Sequence, residues 1–410
     1  MPAANRPTMV SVAEAEAIIE KTLYLAPIES RPLESAFGAV LREEILADRD
    51  FPPYDRVTMD GIAISHTAYA AGRRRFDVAG IQAAGAPPLE LRAEGDCIEA
   101  MTGAVLPCGC DCVVPKEELD RRGDSVEITG GATAERWQFV HRRGSDYPKG
   151  ERLLAPGVLL RAPEIGVCAA VGRASVRVSR RPSIALVATG DELVDVESVP
   201  EPHQVRTSNV YAVQAALAAR GYDAVKRVHV RDEREAVERT LRELLEAFDV
   251  LVISGGVSAG RFDLIPDALE RLGVAALFHK VRQRPGLPFW FGSAPGGRTV
   301  FALPGNPVST TTCAVRYLIP FLERTQGMAA HPVERARLTE ELRFDKRLTL
   351  FLPVKIEQEA GGVVEASPRP VHGSGDFVRL SESDGFVELP ETRDLFEKGT
   401  VWPFYRWGSR

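Results

Sequence analysis

The chain has 410 residues, of which 44% are apolar and 26% charged, and a formal net charge of −6. That length exceeds one ordinary domain and suggests roughly two to four. The acidic balance argues against the basic footprint of a nucleic-acid-binding protein, and no apolar run reaches the roughly 18 residues of a membrane span. An anionic substrate would therefore be held by local groups such as helix N-termini, arginines or a metal ion, rather than by the global field. The opening residues "MPAANRPTMVSVAEAEAII" lack the long apolar core of a signal peptide, so a cytoplasmic location is the default expectation.

In chain order, Ser11 to Leu25 has the helical spacing of Val12, Ala15, Ile18, Ile19 and Leu23. A second stretch follows, with Leu41, Ile45 and Leu46 apolar, stopped by Pro52 and Pro53. From Val57 to about Asp146, short apolar runs alternate with glycine and proline, which reads as β-rich. Within this region "LPCGCDCVVP" alternates Cys108, Cys110 and Cys112. A metal site would need paired knuckles or histidines to complete four ligands, and none stands nearby. Side chains two apart share one face of a strand, and a free cysteine packs as a small hydrophobe. Packing is the favoured reading. A mixed segment then includes a helix after Ala162.

From Arg181 to Gly327 strands and helices alternate: "SIALVATG", "SNVYAVQAALAARGY", "AVKRVHV", "DEREAVERTLRELLEAF", "DVLVISGG", "LIPDALERLG", then "ALFHKV", "TVFALPG" and the helix from Asn306. This is an α/β unit with a mostly parallel sheet. The last eighty or so residues return to β pattern and suggest a small separate β-domain.

Ligands of open α/β sheets bind at the carboxyl ends of the strands. Four motifs fall there: "ATGDEL" with Thr189, Gly190, Asp191 and Glu192; Asp232; "SGGVSAGRFD" with Ser254, Gly255, Gly256, Ser258 and Asp263; and "LPGNPVS" with Pro304, Gly305 and Asn306. Each has a plain alternative. Asp232 with Glu235 could be a helix capping box. Asn306 followed by Pro307 is an ordinary helix start, although such a start also offers N–H groups to an anion. The glycine run lacks the spacing and lysine of a P-loop. Taken together, three carboxylates (Glu192, Asp232, Asp263) and a glycine-rich anion site suit a phosphorylated ligand with Mg²⁺, which takes one or two carboxylates and keeps several waters.

The motifs "VTMDGIA", "MTGAVLP", "RRGSD", "ATGDEL", "SGGVSAGRFD", "RPGLPFWFG" and "LPGNPVS" stand in the order seen in the molybdopterin molybdenumtransferases, the family of bacterial MoeA and the gephyrin E domain. The resemblance covers essentially the whole chain from about residue 8. It implies four units: an elongated dimerisation unit from 8–45 and 147–180, a β-rich insertion 46–146, an α/β molybdopterin-binding unit 181–327, and a small barrel-like β unit 328–410. It further implies a homodimer with a site between the α/β unit of one subunit and the insertion of the other. A molybdopterin adenylyltransferase acts upstream. Adenylylated molybdopterin and molybdate are the substrates, Mg²⁺ assists, and AMP is released.

Position by position, the resemblance implicates Asp60, Thr102, Asp146, Glu192, Asp232, Asp263 and Ser374. Among these, Asp60, Glu192, Asp232 and Asp263 are the catalytic candidates, and Glu192, Asp232, Asp263 and Asp146 the metal candidates. Molybdate, an oxyanion, needs N–H, hydroxyl or cationic donors, and Thr102, Arg284 and the helix start at Asn306 are candidates. The chain departs from the family's common K-P-G-K-P, reading Arg284-Pro285-Gly286-Leu287-Pro288. Arginine keeps the first charge, whereas Leu287 removes the second. Ile62 and Leu264 stand where the family has aromatic residues. Two alternatives stay open: an enzyme on this scaffold using tungstate or a modified pterin nucleotide, and a non-catalytic pterin-binding scaffold.

Overall fold

A computed structural model of the chain describes residues 9–257, 264–358, 362, 364–373 and 375–408. Ser258, Asp263 and Ser374 lie outside the described residues. The first helix, Val12–Lys21, starts at a capping box in which Ser11 and Glu14 satisfy each other's backbone N–H groups. It buries Val12, Ala15 and Ile19 in the main core of the α/β unit.

The next stretch contains no α-helix. Ile28–Pro32 pairs antiparallel with Ser175–Ser179, and Ile45–Leu46 with Arg152–Leu154. Leu41 and Ile45 share a small core with Leu160, Cys168 and Val178. Gly38 turns the chain with φ +71°, and Val40 and Leu41 bridge to Leu159 and Val178. Tertiary pairing overrides the local spacing here. Two segments far apart in sequence thus make one unit, completed by the helix Ala162–Ala170.

Between them lies a six-stranded sheet, ordered Cys112–Pro115, Gly61–Ile64, Asp96–Ala100, Arg75–Gln82, Ser125–Ile128 and Leu119–Arg122. Arg56–Val57 pairs with Val140–His141 at its base. The three alternating cysteines do not share one face. Cys112 is in a strand and packs with Ile64 and Val114, whereas Cys110 is buried in a different cluster with Val57 and Leu106. Cys108 is exposed. A turn in which Cys110 N–H donates to the Pro107 carbonyl breaks the period-two geometry.

The α/β sheet has the order Val225–Val230, Ile184–Thr189, Val250–Ser254, Thr299–Leu303, Trp290–Ser293 and Ala275–His279. The first four strands are parallel; Trp290–Ser293 is antiparallel to both of its neighbours, so Ala275–His279 points the same way as the first four. Trp290–Ser293 is a strand that the alternation of motifs did not reveal. It returns from Ala275–His279 across the short segment 280–289, too short for the helical crossover that a parallel strand requires. The last helix divides into Pro307–Cys313, a π turn over Ala314–Leu318, and Ile319–Thr325. Pro320 has no N–H to offer the carbonyl of Arg316, and the helix widens at that place.

The C-terminal strands Thr349–Gln358, Val364–Pro368, Glu334–Leu338, Val401–Arg406 and Gly385–Leu389 close on one another as a five-stranded barrel. One short strand, Gln283–Arg284, leaves the α/β unit to pair in parallel with Thr349 and Leu350 of the barrel.

An ion cluster centred on the buried Arg316 fastens three parts of the chain. Arg316, 6% exposed, donates to Glu388 of the barrel at 2.7 Å and to Glu16 of the first helix at 2.9 Å. Burial works against its charge, yet Glu388 and Glu16 hold it protonated above the ordinary arginine range. Removing one member of such a cluster strands a buried charge. Glu388→Ala is expected to cost about 3 kcal/mol of stability in urea unfolding; a loss below about 1 kcal/mol, the range of exposed pairs, would show that the cluster does not fasten the fold.

Candidate functional site

Register assembles the first part of the site. Ala188 stands opposite Ser254, Ser254 opposite Leu303, and Thr189 opposite Val230. The turns after these strands therefore open on one sheet edge, bringing together Thr189, Gly190, Ser254, Gly255, Gly256, Pro304, Gly305 and Asn306. The turns touch. A Cβ on Gly255 would stand 2.8 Å from the Thr189 carbonyl and 2.9 Å from its hydroxyl, and φ is +102°. Only glycine fits such a close approach.

Asn209, at the start of the helix Asn209–Ala218, was not singled out from sequence. Its Nδ2 donates to Ser254 Oγ at 2.8 Å and to the Gly305 carbonyl at 2.6 Å, tying two of the turns. Its Oδ1 and the Thr189 hydroxyl are buried without a hydrogen-bond partner among the described residues. Buried polar atoms are nearly always paired, so two orphans on one sheet edge mark a place where a ligand completes the bonding. The signal available in sequence was an asparagine opening a helix beside three glycine-rich turns.

The acidic residues lie alongside. The Glu192 carboxylate folds back over Gly190, in the space a side chain there would need. Asp191, which stands in the "ATGDEL" motif but was given no role of its own from sequence, accepts the Asp232 N–H at 3.2 Å. The capping-box reading of Asp232 does not hold, because the helix Arg234–Ala247 is capped at Glu233 without a side-chain bond. Among the described residues no three His, Cys, Asp or Glu side chains are grouped closely enough to hold a metal by themselves. A pair of carboxylates from Asp191, Glu192 and Asp232 suits Mg²⁺, which usually takes one or two carboxylates together with substrate phosphates and water.

A second set sits on the insertion. Gly61 packs so tightly on the neighbouring strand that a Cβ would lie 1.9 Å from the Val114 carbonyl. This contact fixes the backbone beside Asp60. Asp60 Oδ1 accepts from both the N–H and the hydroxyl of Thr102 at 2.8 Å, and Lys116 Nζ is 3.7 Å from Oδ2. The backbone bond from Thr102, then its hydroxyl, holds the Asp60 carboxyl below the ordinary aspartate range, with Lys116 assisting. Asp146 is bonded to His141 Nε2 at 2.8 Å, and Arg56 is 3.1 Å from the other ring nitrogen. The apolar clusters of the insertion contain no residue of the α/β unit.

The third part is a cleft of about 570 Å³ between the α/β unit and the barrel. Arg284, Leu287, Pro304, Asn306 and Ser309 line one wall, and Arg343 and Lys346 the other. Pro304 and Asn306 also belong to the sheet edge, so the cleft and the glycine turns are continuous. Arg343 and Lys346 were missed because their strand and loop read only as barrel. Among the described residues no carboxylate lies within ion-pair distance of Arg284, Arg343 or Lys346. The cations are available to an anion.

Fold and site together define a multidomain α/β protein with a glycine-rich sheet edge and an adjoining basic cleft. Family models match in succession: the MoeA N-terminal region (domains I and II) over residues 10–172, a probable molybdopterin-binding domain over 185–324, and the MoeA C-terminal region (domain IV) over 335–407. A molybdopterin molybdenumtransferase of Synechocystis is 40% identical, with 97% of this chain and 100% of the relative covered. One of Synechococcus elongatus is 32% identical over 91% and 93%. The crystal structure of a molybdopterin biosynthesis MoeA protein from Pyrococcus horikosii superposes with a TM-score of 0.79 at 28% identity, covering 98% of this chain and 100% of that one. The chain belongs to the MoeA family of molybdopterin molybdenumtransferases.

The Asp60–Thr102 pair has a direct test. Hydrogen bonds to the charged form lower a carboxyl pKa, so Thr102→Val should move the Asp60 midpoint upward in a carbon-detected NMR titration. A depressed carboxyl contributes stability above its unfolded pKa, lost as pH falls through its folded pKa. The variant should therefore begin that loss at higher pH than the parent. A midpoint that stays put would show that the hydroxyl does not hold the charge.

Proposed function

We propose that the protein inserts molybdenum from molybdate into adenylylated molybdopterin, with release of AMP, to give the molybdenum cofactor. The observation that carries this reading is that Pro304 and Asn306 line both the glycine-rich sheet edge and the basic cleft. A phosphorylated pterin on the edge and an oxyanion in the cleft would be immediate neighbours. Family membership supports the substrate class.

In this reading the turns at Thr189–Gly190, Ser254–Gly256 and Pro304–Asn306 hold the pterin nucleotide, with Ser258 assigned to the same task from its place in the glycine-rich motif and Ser374 by resemblance alone. Backbone N–H groups at glycine turns approach phosphate without Cβ interference. Asn209 Oδ1 and the Thr189 hydroxyl gain partners from the ligand. When bound, Mg²⁺ would be held by Glu192 and Asp232, with Asp191 adjacent and Asp263 expected nearby, and would neutralise charge on the phosphoanhydride. The carboxylates also orient the water that attacks phosphorus. The P–O bond to the leaving group breaks, and AMP departs with its phosphate.

Asp60, Thr102 and Asp146 stand on the insertion, whose cores are separate from that of the α/β unit. We assign them to the site of a second copy, which makes the working form a homodimer. Its substrate comes from a molybdopterin adenylyltransferase.

The cleft suits the oxyanion. Leu287 contributes no charge, but Arg343 and Lys346 supply two cations from the facing wall. Loss of one charge-assisted hydrogen bond costs about 1.5–3 kcal/mol, roughly tenfold to a hundredfold in binding. With adenylylated molybdopterin and Mg²⁺, the protein should release AMP when molybdate is added. Arg343→Ala and Lys346→Ala should each raise the molybdate KM by at least about tenfold. No AMP with any oxyanion would remove the enzymatic reading, leaving a pterin-binding scaffold. Release with tungstate but not molybdate would select the tungstate enzyme.

A further inference from the structure

We propose that Tyr317 and Gln283 form a buried clamp that positions the Arg284–Pro288 loop within the cleft; the functional consequence rests on reading that cleft as the oxyanion site. Gln283 is fully buried, and both ends of its amide are engaged. Its Oε1 accepts from the Tyr317 hydroxyl. Its Nε2 donates to the Gly286 carbonyl at 3.0 Å and lies 3.3 Å from Cys313 Sγ. The amide therefore grips the loop that begins one residue after it.

The loop is seated on this clamp without intervening space. A Cβ on Gly286 would stand 2.6 Å from both Cys313 Sγ and Gln283 Nε2, and its φ is +95°. The same loop is tied at its far end, where Val281 N–H donates to the Leu287 carbonyl at 2.9 Å. On its other flank Arg284 pairs with Leu350 of the barrel. Arg284 and Leu287 are thus displayed in the cleft from a backbone held by the buried Gln283 amide together with these two backbone attachments.

The π turn explains why Tyr317 is placed to do this. Ala314–Leu318 is the widened part of the helix, and it carries both Arg316 and Tyr317. Arg316 is committed to Glu388 and Glu16, while Tyr317 is buried against Phe289 with ring centroids 5.0 Å apart. A π turn shifts the helical phase by one residue relative to an unbroken α-helix. One short segment thus serves two buried polar attachments, and one of them lies directly beneath the cleft.

The Tyr317 hydroxyl and both ends of the Gln283 amide are engaged within the protein, so the two act as positioning residues. Tyr317→Phe keeps the ring packing and removes the one donor to Gln283 Oε1 found among the described residues, leaving a buried acceptor unsatisfied. Tyr222→Phe is the control. It removes another buried bond of the same kind, from Gln326 Nε2 to the Tyr222 hydroxyl, at residues that do not line the cleft.

Hydrogen–deuterium exchange of residues 281–289 and the molybdate KM are measured for both variants, together with thermal midpoints. Tyr317→Phe should speed exchange of that segment and raise the molybdate KM, each by about tenfold, with a smaller change in kcat. Tyr222→Phe should lower the thermal midpoint while leaving both quantities at parental values. Unchanged exchange at 281–289 in Tyr317→Phe would overturn the clamp, as would an equal KM rise in both variants. Faster exchange with an unchanged molybdate KM would overturn its role in oxyanion binding. The exchange measurement needs no turnover, so a parent that releases no AMP would count against the proposed reaction and not against the clamp.

Discussion

Parallel pairing in register is the constraint on which the site depends. Because Ile184–Thr189, Val250–Ser254 and Thr299–Leu303 are adjacent and aligned, three reversals of the chain must share one edge. Their close packing leaves room only for glycine at Gly255 and for a small set of polar atoms, two of which have no partner among the described residues. Other parts of the molecule extend this edge. The barrel supplies a facing wall, joined to the sheet's own connection by the pairing of Gln283–Arg284 with Thr349–Leu350.

The second wall changes how the missing charge at Leu287 is understood. Considered alone, the Arg284–Pro288 segment carries a single cation. In three dimensions the cleft collects Arg284, Arg343 and Lys346 from positions up to 62 residues apart by their numbering, so charge is shared across a domain junction. A basic cleft can therefore persist where one loop has lost a charge. The junction itself is fastened by the ion cluster centred on the buried Arg316, which makes its geometry sensitive to changes remote from any ligand.

Much of this was legible because local chemistry and fold agree. The three central strands Ile184–Thr189, Val250–Ser254 and Thr299–Leu303 are apolar runs closely followed by glycine, and "ATGD", "SGG" and "LPGN" fall where a parallel sheet presents its ligands. The barrel was legible as a β-rich tail. Three things were hidden. The stretch containing Leu41 and Ile45 takes its conformation from partners more than a hundred residues away. Trp290–Ser293 is too short and too close to a turn for its periodicity to declare a strand. Arg343 and Lys346 gain meaning only when the barrel is set against the sheet. Asn209 and Asp191 lay inside recognised motifs or beside them, but their bonding depends on which turns meet.

The central claim is that an oxyanion sits in the cleft next to the glycine-rich edge. Anomalous scattering from crystals soaked in molybdate tests it most directly. The account predicts a molybdenum peak between Arg284, Ser309 and the Arg343–Lys346 wall, with its oxygens at charge-assisted hydrogen-bonding distance. A peak confined to a surface outside the cleft, or none in the cleft under turnover concentrations of molybdate, would contradict it.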